Sequence, residues 1–182
     1  ESHTATVLQD GRVLVTGGHQ GRRSAIMLYT SAEIFDPATN TFAPAGDMNV
    51  RRHKHDATLL LDGRVLITGG SDERDDQGAY RSAELYDPVL GRFVMTAPMQ
   101  AARYKHRGTS LVLADGRVLV LGGAPGTELY DSADGVFQLA SDSVGEARLF
   151  ATATLLPNGE VLFAGGYGPH VSVSAQAWVV TP

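Results

Sequence analysis

The segment Asp62 to Gly70 reads Asp-Gly-Arg-Val-Leu-Ile-Thr-Gly-Gly, and it decides the fold because the chain repeats this pattern four times. The other copies are Asp10 to Gly18, Asp115 to Gly123 and Asn158 to Gly166. Successive Gly-Gly pairs stand about 43 to 53 residues apart, which is a spacing typical of propeller blades. We therefore expect four β-rich units in series.

Each unit predicts four antiparallel strands. The first ends at an Asp-Gly or Asn-Gly turn, for which we expect type I′ geometry with positive φ. The second, such as Arg64 to Thr68, is apolar without alternation, so it should be covered on both faces. The third ends at Asp-Pro. A residue with left-handed backbone conformation, namely Asn40, Gly91 or Gly135, is then expected to turn the chain into the fourth strand. The first strands carry small residues and are expected nearest the propeller axis: Thr4 to Leu8, Ala57 to Leu61, Thr109 to Leu113 and Thr152 to Leu156.

Composition excludes several classes of function. The 182 residues include no cysteine, so disulfides, thiolate catalysis and cysteine-ligated metals are excluded. The formal net charge is -5, with acids and bases interspersed. Without a basic stripe we expect no nucleic-acid partner. The apolar runs are also too short for a membrane span.

The second repeated element resembles the kelch repeat. Ser31 to Pro37 and Ser82 to Pro88 share the pattern Ser-Ala-Glu-x-aromatic-Asp-Pro, and Thr127 to Asp131 is a shorter copy. An aromatic residue follows six positions after the Asp of each copy, at Phe42, Phe93 and Phe137. Together with Arg-x-x-His and Ala-Thr-Leu-Leu, the pattern is similar to bacterial kelch and galactose-oxidase-like propellers over essentially the whole chain. This resemblance implies an all-β propeller of four consecutive blades, the last incomplete, and favours an extracellular or cell-surface location.

The blades are expected at about residues 1–48, 51–99, 103–142 and 147–182, as one propeller segment. Kelch propellers commonly have six or seven blades, and no strand is left over to complete blade 4. We therefore expect a segment of a larger propeller, whose open edges offer a route to self-association. A compact four-bladed ring with a three-stranded last blade is the alternative.

Polar residues that recur in the repeats are interpreted as structural. Arg-x-x-His occurs at Arg52 to His55 and at Arg103 to His106, while the first unit has His3 and the last has Arg148 alone. A ring of imidazoles around a metal is the functional alternative, but the spacing is not that of a metal site, so neither metal nor other cofactor is predicted. Because buried charges need partners, we expect ion pairs across the blade junctions. The predicted pairs are Glu33 with Arg52, Glu84 with Arg103, and Glu128 with Arg148.

Residues that break the repeat are the better candidates for binding. The loops after Gly-Gly and the approaches to the next inner strand share one face of the disc, and their lengths vary. The acidic run Asp72 to Asp76 lies there but lacks the ligand spacing of a calcium loop. The candidate ligand-binding residues on this loop face are His19, Arg22, Arg23, His53, Tyr104, Lys105, Tyr167 and His170.

These observations favour a non-catalytic scaffold that binds a protein or glycan through its loop face, and they assign no catalytic residue. The alternative is part of a galactose-oxidase-like or sugar-epimerase-like carbohydrate-active propeller. For the oxidase, the resemblance implies copper and a tyrosine crosslinked to cysteine, which this chain cannot form. For the epimerase, charged or histidine residues would have to converge on a central pocket, with Arg22, Arg23 and His170 as candidates.

Overall fold

The computed structural model describes residues 1–22, 25–168 and 171–182, which form a series of small antiparallel sheets. Six strands lie in the first unit: β1 (Thr4–Val7), β2 (Val13–Thr16), β3 (His19–Gln20), β4 (Met27–Leu28), β5 (Ser31–Asp36) and β6 (Thr41–Asp47). Strands β1, β2, β5 and β6 form the blade in that order, and β3 pairs with β4 as a separate hairpin. The segment that follows Gly18 is therefore partly a hairpin.

The next two units each form a four-stranded sheet in chain order. Blade 2 contains β7 (Asp56–Leu59), β8 (Val65–Thr68), β9 (Ala83–Asp87) and β10 (Arg92–Met95). Blade 3 contains β11 (Ser110–Val112), β12 (Val118–Val120), β13 (Glu128–Asp131) and β14 (Val136–Leu139). A single 3₁₀ turn, Asp75–Gly78, lies in the loop between β8 and β9.

Blade 4 is a three-stranded sheet of β15 (Thr152–Leu155), β16 (Val161–Ala164) and β17 (Ala177–Val180). The first strands of neighbouring blades contact each other in series, β1 with β7, β7 with β11, and β11 with β15. Such a series is expected for strands that surround a common axis. The predicted all-β propeller of consecutive blades with an incomplete last blade is confirmed.

The core consists of three apolar clusters, one at each junction between blades. The first joins blades 1 and 2, the second blades 2 and 3, and the third blades 3 and 4. Strand β8 contributes to two of them, because Val65 and Ile67 pack against blade 1 while Leu66 packs against blade 3. All three side chains are fully buried. The prediction that the second strand is covered on both faces is therefore confirmed for β8, whereas Leu162 of the second strand of blade 4 is 38% exposed.

The hairpin turns differ from the predicted type I′ geometry. In blade 1 the amide of Gly11 donates to the carbonyl of Leu8 at 3.0 Å, and positive φ at the turn is confined to Gly11, at 86°. A type I′ turn needs positive φ at both central residues, whereas a three-residue loop needs it at one. The Asp10 side chain stabilises this form by accepting the amide hydrogen bond of Arg12 at 3.0 Å.

The left-handed residues predicted ahead of the fourth strands are confirmed. Their φ angles are 55° at Asn40, 60° at Gly91 and 72° at Gly135. These residue types tolerate a conformation in which a Cβ crowds the next carbonyl. Each one turns the chain from the third strand of its blade into the fourth.

Each repeated arginine pairs within its own blade, so the predicted ion pairs are wrong by one repeat. The guanidinium of Arg52 lies 2.8 Å from the carboxylate of Glu84, and both side chains are fully buried. Arg103 lies 3.1 Å from Glu128 with the same complete burial. In blade 4 the guanidinium of Arg148 donates to the amide oxygen of Gln176 at 3.0 Å, and not to Glu128 as predicted. The predicted pairs Glu33 with Arg52, Glu84 with Arg103 and Glu128 with Arg148 are replaced by these.

The reason lies in the path of the chain between blades. The connection after β6 reaches blade 2 before it reaches the arginine, since the amides of Asn49 and Val50 already donate to Glu84, at 2.6 and 3.1 Å. Arg52 follows them and lies over the same blade. Glu33, the equivalent residue of blade 1, is exposed.

The arginines still connect neighbouring blades, but through their backbone. The carbonyl of Arg52 accepts a hydrogen bond from Gly18 of the preceding blade at 2.9 Å. The carbonyls of Arg103 and Arg148 accept equivalent bonds from Gly70 and Gly123, both at 2.8 Å. Each arginine therefore binds the preceding blade with its carbonyl and its own blade with its guanidinium.

The repeated histidines cross the junctions with their side chains. The Nε2 atom of His55 lies 3.0 Å from the hydroxyl of Thr4 and 3.1 Å from that of Thr16, both in blade 1. His106 makes the same contact to Thr68 at 3.0 Å. Both rings are fully buried. These contacts agree with the interpretation of the histidines as junction residues.

Candidate ligand-binding cleft on the loop face

Four residues at one repeat position form a ladder of backbone hydrogen bonds at the start of the inner strands. The amide of Lys54 donates to Ser2 at 3.0 Å, that of Lys105 to Lys54 at 2.8 Å, and that of Phe150 to Lys105 at 2.7 Å. We call these four residues the collar. All have left-handed backbone, with φ of 59° at Ser2, 55° at Lys54, 54° at Lys105 and 53° at Phe150. This conformation costs energy in residues other than glycine, and the ladder holds each of them in it.

One carboxylate bridges the two collar lysines. Asp75, at the start of the 3₁₀ turn, lies 2.8 Å from Nζ of Lys54 and 3.1 Å from Nζ of Lys105. Burial alone would raise the pKa of Asp75, but the hydrogen bonds from both lysines outweigh it and lower that pKa. Burial likewise opposes the charge of Lys105, yet the hydrogen bond to Asp75 leaves its pKa raised. Asp75 and Lys105 therefore stay ionised at neutral pH.

The ammonium group of Lys105 lies among aromatic rings. Its Nζ atom is 4.9 Å from the ring centroid of Tyr104, 5.9 Å from that of Tyr167 and 6.0 Å from that of Phe150. The rings of Phe150 and Tyr167 contact each other at 5.8 Å between centroids. Distances of this size allow cation–π attraction, which orients the lysine and the rings together.

These groups border a cleft of about 350 Å³, which we call the loop-face cleft; its volume falls within the range of small-molecule sites. It is lined by Asp75, Asp76, Tyr104, Lys105, Leu149, Tyr167, Gly168 and Val171. The lining combines carboxylate acceptors, an ammonium donor and two phenol rings. Such a set can form directional hydrogen bonds to a polar ligand and also present flat apolar area to it.

The structure brings together three of the predicted binding residues, namely Tyr104, Lys105 and Tyr167. Arg22 does not line the cleft: its side chain is 86% exposed, and its guanidinium lies 3.9 Å from Glu1. Arg23 and His170 lie outside the described residues.

The structure buries the other two predicted binding residues, His19 and His53. Their Nδ1 atoms lie 3.0 Å apart, and the rings meet edge to face at 4.8 Å between centroids. Burial lowers the pKa of His53 to about 4, with the charge of Lys54 contributing, and burial also lowers the pKa of His19. Both rings are therefore neutral at pH 7 and belong to the packing beneath the loops.

Three of the four acids in the acidic run of blade 2, Asp72, Glu73 and Asp75, are paired with neighbouring cations. Asp72 pairs with Arg74 at 2.6 Å, and Glu73 lies 3.5 Å from Arg51. Asp75 is shared by the two lysines. Among the described residues, no group of three or more His, Cys, Asp or Glu side chains is arranged to hold a metal ion. The carboxylates of this run therefore form ion pairs within the loop and line part of the cleft.

Sequence reasoning missed Phe150 and the collar as a unit. A signal was present, because two adjacent positions vary between the repeated arginine and histidine positions: the first reads Glu, His, Tyr and Leu in the four units, and the second reads Ser, Lys, Lys and Phe. Variation at one position of a repeat marks a side chain that the common packing does not require.

With this geometry described, comparison with known proteins agrees with the fold. The Kelch motif family matches residues 2–49. Two curated sequences of galactose oxidase from Gibberella zeae are each 22% identical over 246 residues, covering 95% of this chain and 35% of the relative. The chain therefore spans about a third of the length of these relatives.

A solved structure supports the same conclusion. The structure of YjhT superposes with a TM-score of 0.77 at 12% identity, covering 100% of this chain and 66% of that chain. The chain thus has a kelch-type, galactose-oxidase-like propeller fold. Within the described ranges, no helix has the length and apolar character needed to cross a bilayer.

Proposed function

We propose that this chain is a non-catalytic carbohydrate-binding module that holds one saccharide unit in the loop-face cleft. The observation that carries the proposal is the position of Lys105 between the rings of Tyr104 and Tyr167, beside the carboxylate of Asp75. A sugar ring offers apolar C–H faces for stacking and hydroxyl groups that both donate and accept hydrogen bonds. The cleft supplies a matching partner for each.

The size of the cleft favours a saccharide over a folded protein partner. Its volume of about 350 Å³ suits a ligand of one or two sugar rings. A stable protein interface needs roughly 800 Å² from each partner, mostly as a broad surface. The matched relatives are named for an oxidase of galactose, which supports a carbohydrate as the ligand class.

A carbohydrate-active propeller of the oxidase or epimerase type is the second candidate. It is favoured by the similarity to galactose oxidase over 95% of this chain. It differs from the first in requiring turnover of the bound sugar. Measuring both binding and product formation therefore separates the two.

The test is a saccharide-binding screen by saturation-transfer NMR, followed by calorimetric titration of each sugar that binds. We expect Tyr104→Ala and Tyr167→Ala to weaken binding roughly tenfold each, because each removes a stacking ring. Tyr29→Ala is the matched control, since Tyr29 does not line the cleft. Undiminished affinity in both cleft variants, with unchanged thermal transitions, would overturn the proposal, as would the absence of any saccharide signal.

A further inference from the structure

Lys105, the cation among the described residues that line the loop-face cleft, already has partners of its own. Its Nζ atom lies 3.1 Å from the carboxylate of Asp75, and its side chain is only 14% exposed. Burial opposes the charge of Lys105, but hydrogen bonds to Asp75 and Tyr167 leave its pKa raised. An anionic ligand would have to displace Asp75 before it could pair with this ammonium group.

Asp76, the second acid of the cleft, has no such partner. It is exposed and lies in the 3₁₀ turn Asp75–Gly78, directly after the acid that pairs with Lys105. Within residues 1–22, 25–168 and 171–182, no side chain or amide donates a hydrogen bond to its carboxylate, and no cation forms an ion pair with it. Blade 2 is flanked by blades 1 and 3, so this is the loop of an interior blade. The cleft therefore carries one carboxylate that no described cation compensates.

The charge of Asp76 acts on the aromatic wall of the cleft. Burial raises the pKa of the Tyr104 phenol, and although Lys105 opposes this rise, the charges of Asp75 and Asp76 add to it. The faces of aromatic rings themselves attract cations. An uncompensated carboxylate beside two tyrosine rings thus favours one kind of ligand group, a protonated amine.

We propose that the saccharide held in the loop-face cleft is an amino sugar, whose protonated amine pairs with Asp76 while its ring lies against Tyr104 and Tyr167. This inference rests on the proposed carbohydrate-binding function and narrows it to one class of sugar. A hydrogen bond between an ammonium and a carboxylate is roughly twice as strong as one between neutral groups. Neutral and N-acetylated sugars lack that bond, and uronic acids meet a like charge at Asp76 with Lys105 already paired.

Calorimetric titration of the 182-residue chain with two matched series of sugars tests the inference. One series is glucose, glucosamine, N-acetylglucosamine and glucuronic acid, and the other is the corresponding set built on galactose. The titrations are run at about pH 6, where primary amines of this kind are protonated. In at least one series we expect the amino sugar to bind roughly tenfold more tightly than the neutral and N-acetylated sugars, and the uronic acid to bind most weakly.

Two substitutions of Asp76 separate its charge from the rest of the cleft. Asp76→Asn should abolish the preference for the amino sugar and leave the affinity for the neutral sugar unchanged. Asp76→Lys should reverse the order, so that the uronic acid binds more tightly than the amino sugar. Asp134→Asn is the matched control, because it removes the same charge from an exposed position in the turn between β13 and β14, outside the cleft. It should keep the wild-type preference, and thermal transitions show whether each variant folds.

The outcomes distinguish this inference from the proposed function. If neutral sugars bind as tightly as amino sugars, or if the preference survives Asp76→Asn, the inference is overturned while saccharide binding stands. Equal loss of the preference in Asp134→Asn would also overturn it, since net charge would then explain the effect. Binding of other sugars without binding of either amino sugar contradicts the inference alone, and the absence of all saccharide binding removes the proposed function with it.

Discussion

The guanidinium of Arg52 lies 2.8 Å from the carboxylate of Glu84, and neither side chain is exposed to solvent. The carboxylate also accepts the amide hydrogen bonds of Asn49 and Val50, and the guanidinium donates to the carbonyl of Ser82 at 3.2 Å. Both carboxylate oxygens and both terminal guanidinium nitrogens are therefore hydrogen-bonded, which a buried ion pair needs to offset its lost hydration, while Nε of Arg52 has no hydrogen-bond partner among the described residues.

Removing one member of this pair should be strongly destabilising. In Arg52→Met the carboxylate of Glu84 stays buried without its cation, so we expect the free energy of unfolding to fall by about 3 to 5 kcal/mol. Urea denaturation measures the change. Arg12→Met is the control, because Arg12 pairs with Asp10 at a site where the side chains are 39% and 48% exposed. That pair should contribute less than about 1 kcal/mol, and equal losses in the two variants would contradict the expectation.

The repeat made the strands predictable, while the pairing of Arg52 depended on information that the repeat does not carry. Turn glycines, apolar second strands and Asp-Pro ends are local signals, because each of them lies within a single repeat unit. Arg52 and Arg103, however, each have a repeated glutamate both before and after them along the chain, and Arg148 has Glu128 before it and Gln176 after it. For Arg52, only the path from β6 into blade 2 decides between its two glutamates, and that path is set by backbone contacts of Asn49 and Val50 with Glu84.

The cleft was predictable only in part for a related reason. The alternation of strand direction predicted Tyr104, Lys105 and Tyr167 on one face, and the three residues line one cleft. Their meeting with Asp75 and Phe150 depends on the conformations of loops from three blades, which no periodicity specifies. His19 and His53 show the opposite error: one follows Gly-Gly and the other precedes an inner strand, both were expected at the surface, and the two rings instead pack on each other.

Stability should fall as the solution becomes acidic, because of the junction histidines. Burial lowers the pKa of His106 to about 4, with the positive charges of Arg103 and Arg52 contributing, while Asp56 opposes the shift. The pKa of fully buried His55 is lowered as well. In the unfolded chain each histidine titrates near pH 6.5, so below that pH the unfolded state binds more protons. The stability from the neutral rings is present above about pH 6.5 and is lost as the pH falls toward 4.

Urea denaturation at a series of pH values between 7.5 and 4.5 measures this dependence. Each buried histidine should contribute a slope of up to about 1.4 kcal/mol per pH unit. His106→Gln should make the slope shallower, whereas His3→Gln should leave it unchanged, because His3 occupies the same repeat position but is exposed. A slope unaffected by His106→Gln would refute the assignment.

The isolated chain should not oxidise sugars when copper is supplied. The oxidase cofactor implied by the resemblance needs a crosslinked cysteine, and the 182 residues contain none. We expect hydrogen peroxide production from galactose, oxygen and Cu²⁺ to match that of Cu²⁺ alone. Turnover above that background would contradict a non-catalytic role and favour the second candidate function.

The left-handed backbone of the collar predicts that glycine is more stabilising there than alanine. Lys54 has a φ of 55°, where a Cβ is disfavoured, so Lys54→Gly should be more stable than Lys54→Ala by roughly 1 kcal/mol. Both variants lose the ion pair with Asp75, so their difference reports the backbone alone. The same comparison at Val94, in the extended strand β10, should give the opposite sign, because glycine weakens a strand interior. Thermal and urea unfolding of the four variants provide the measurement, and an alanine variant at Lys54 as stable as the glycine variant would show that the collar carries no backbone strain.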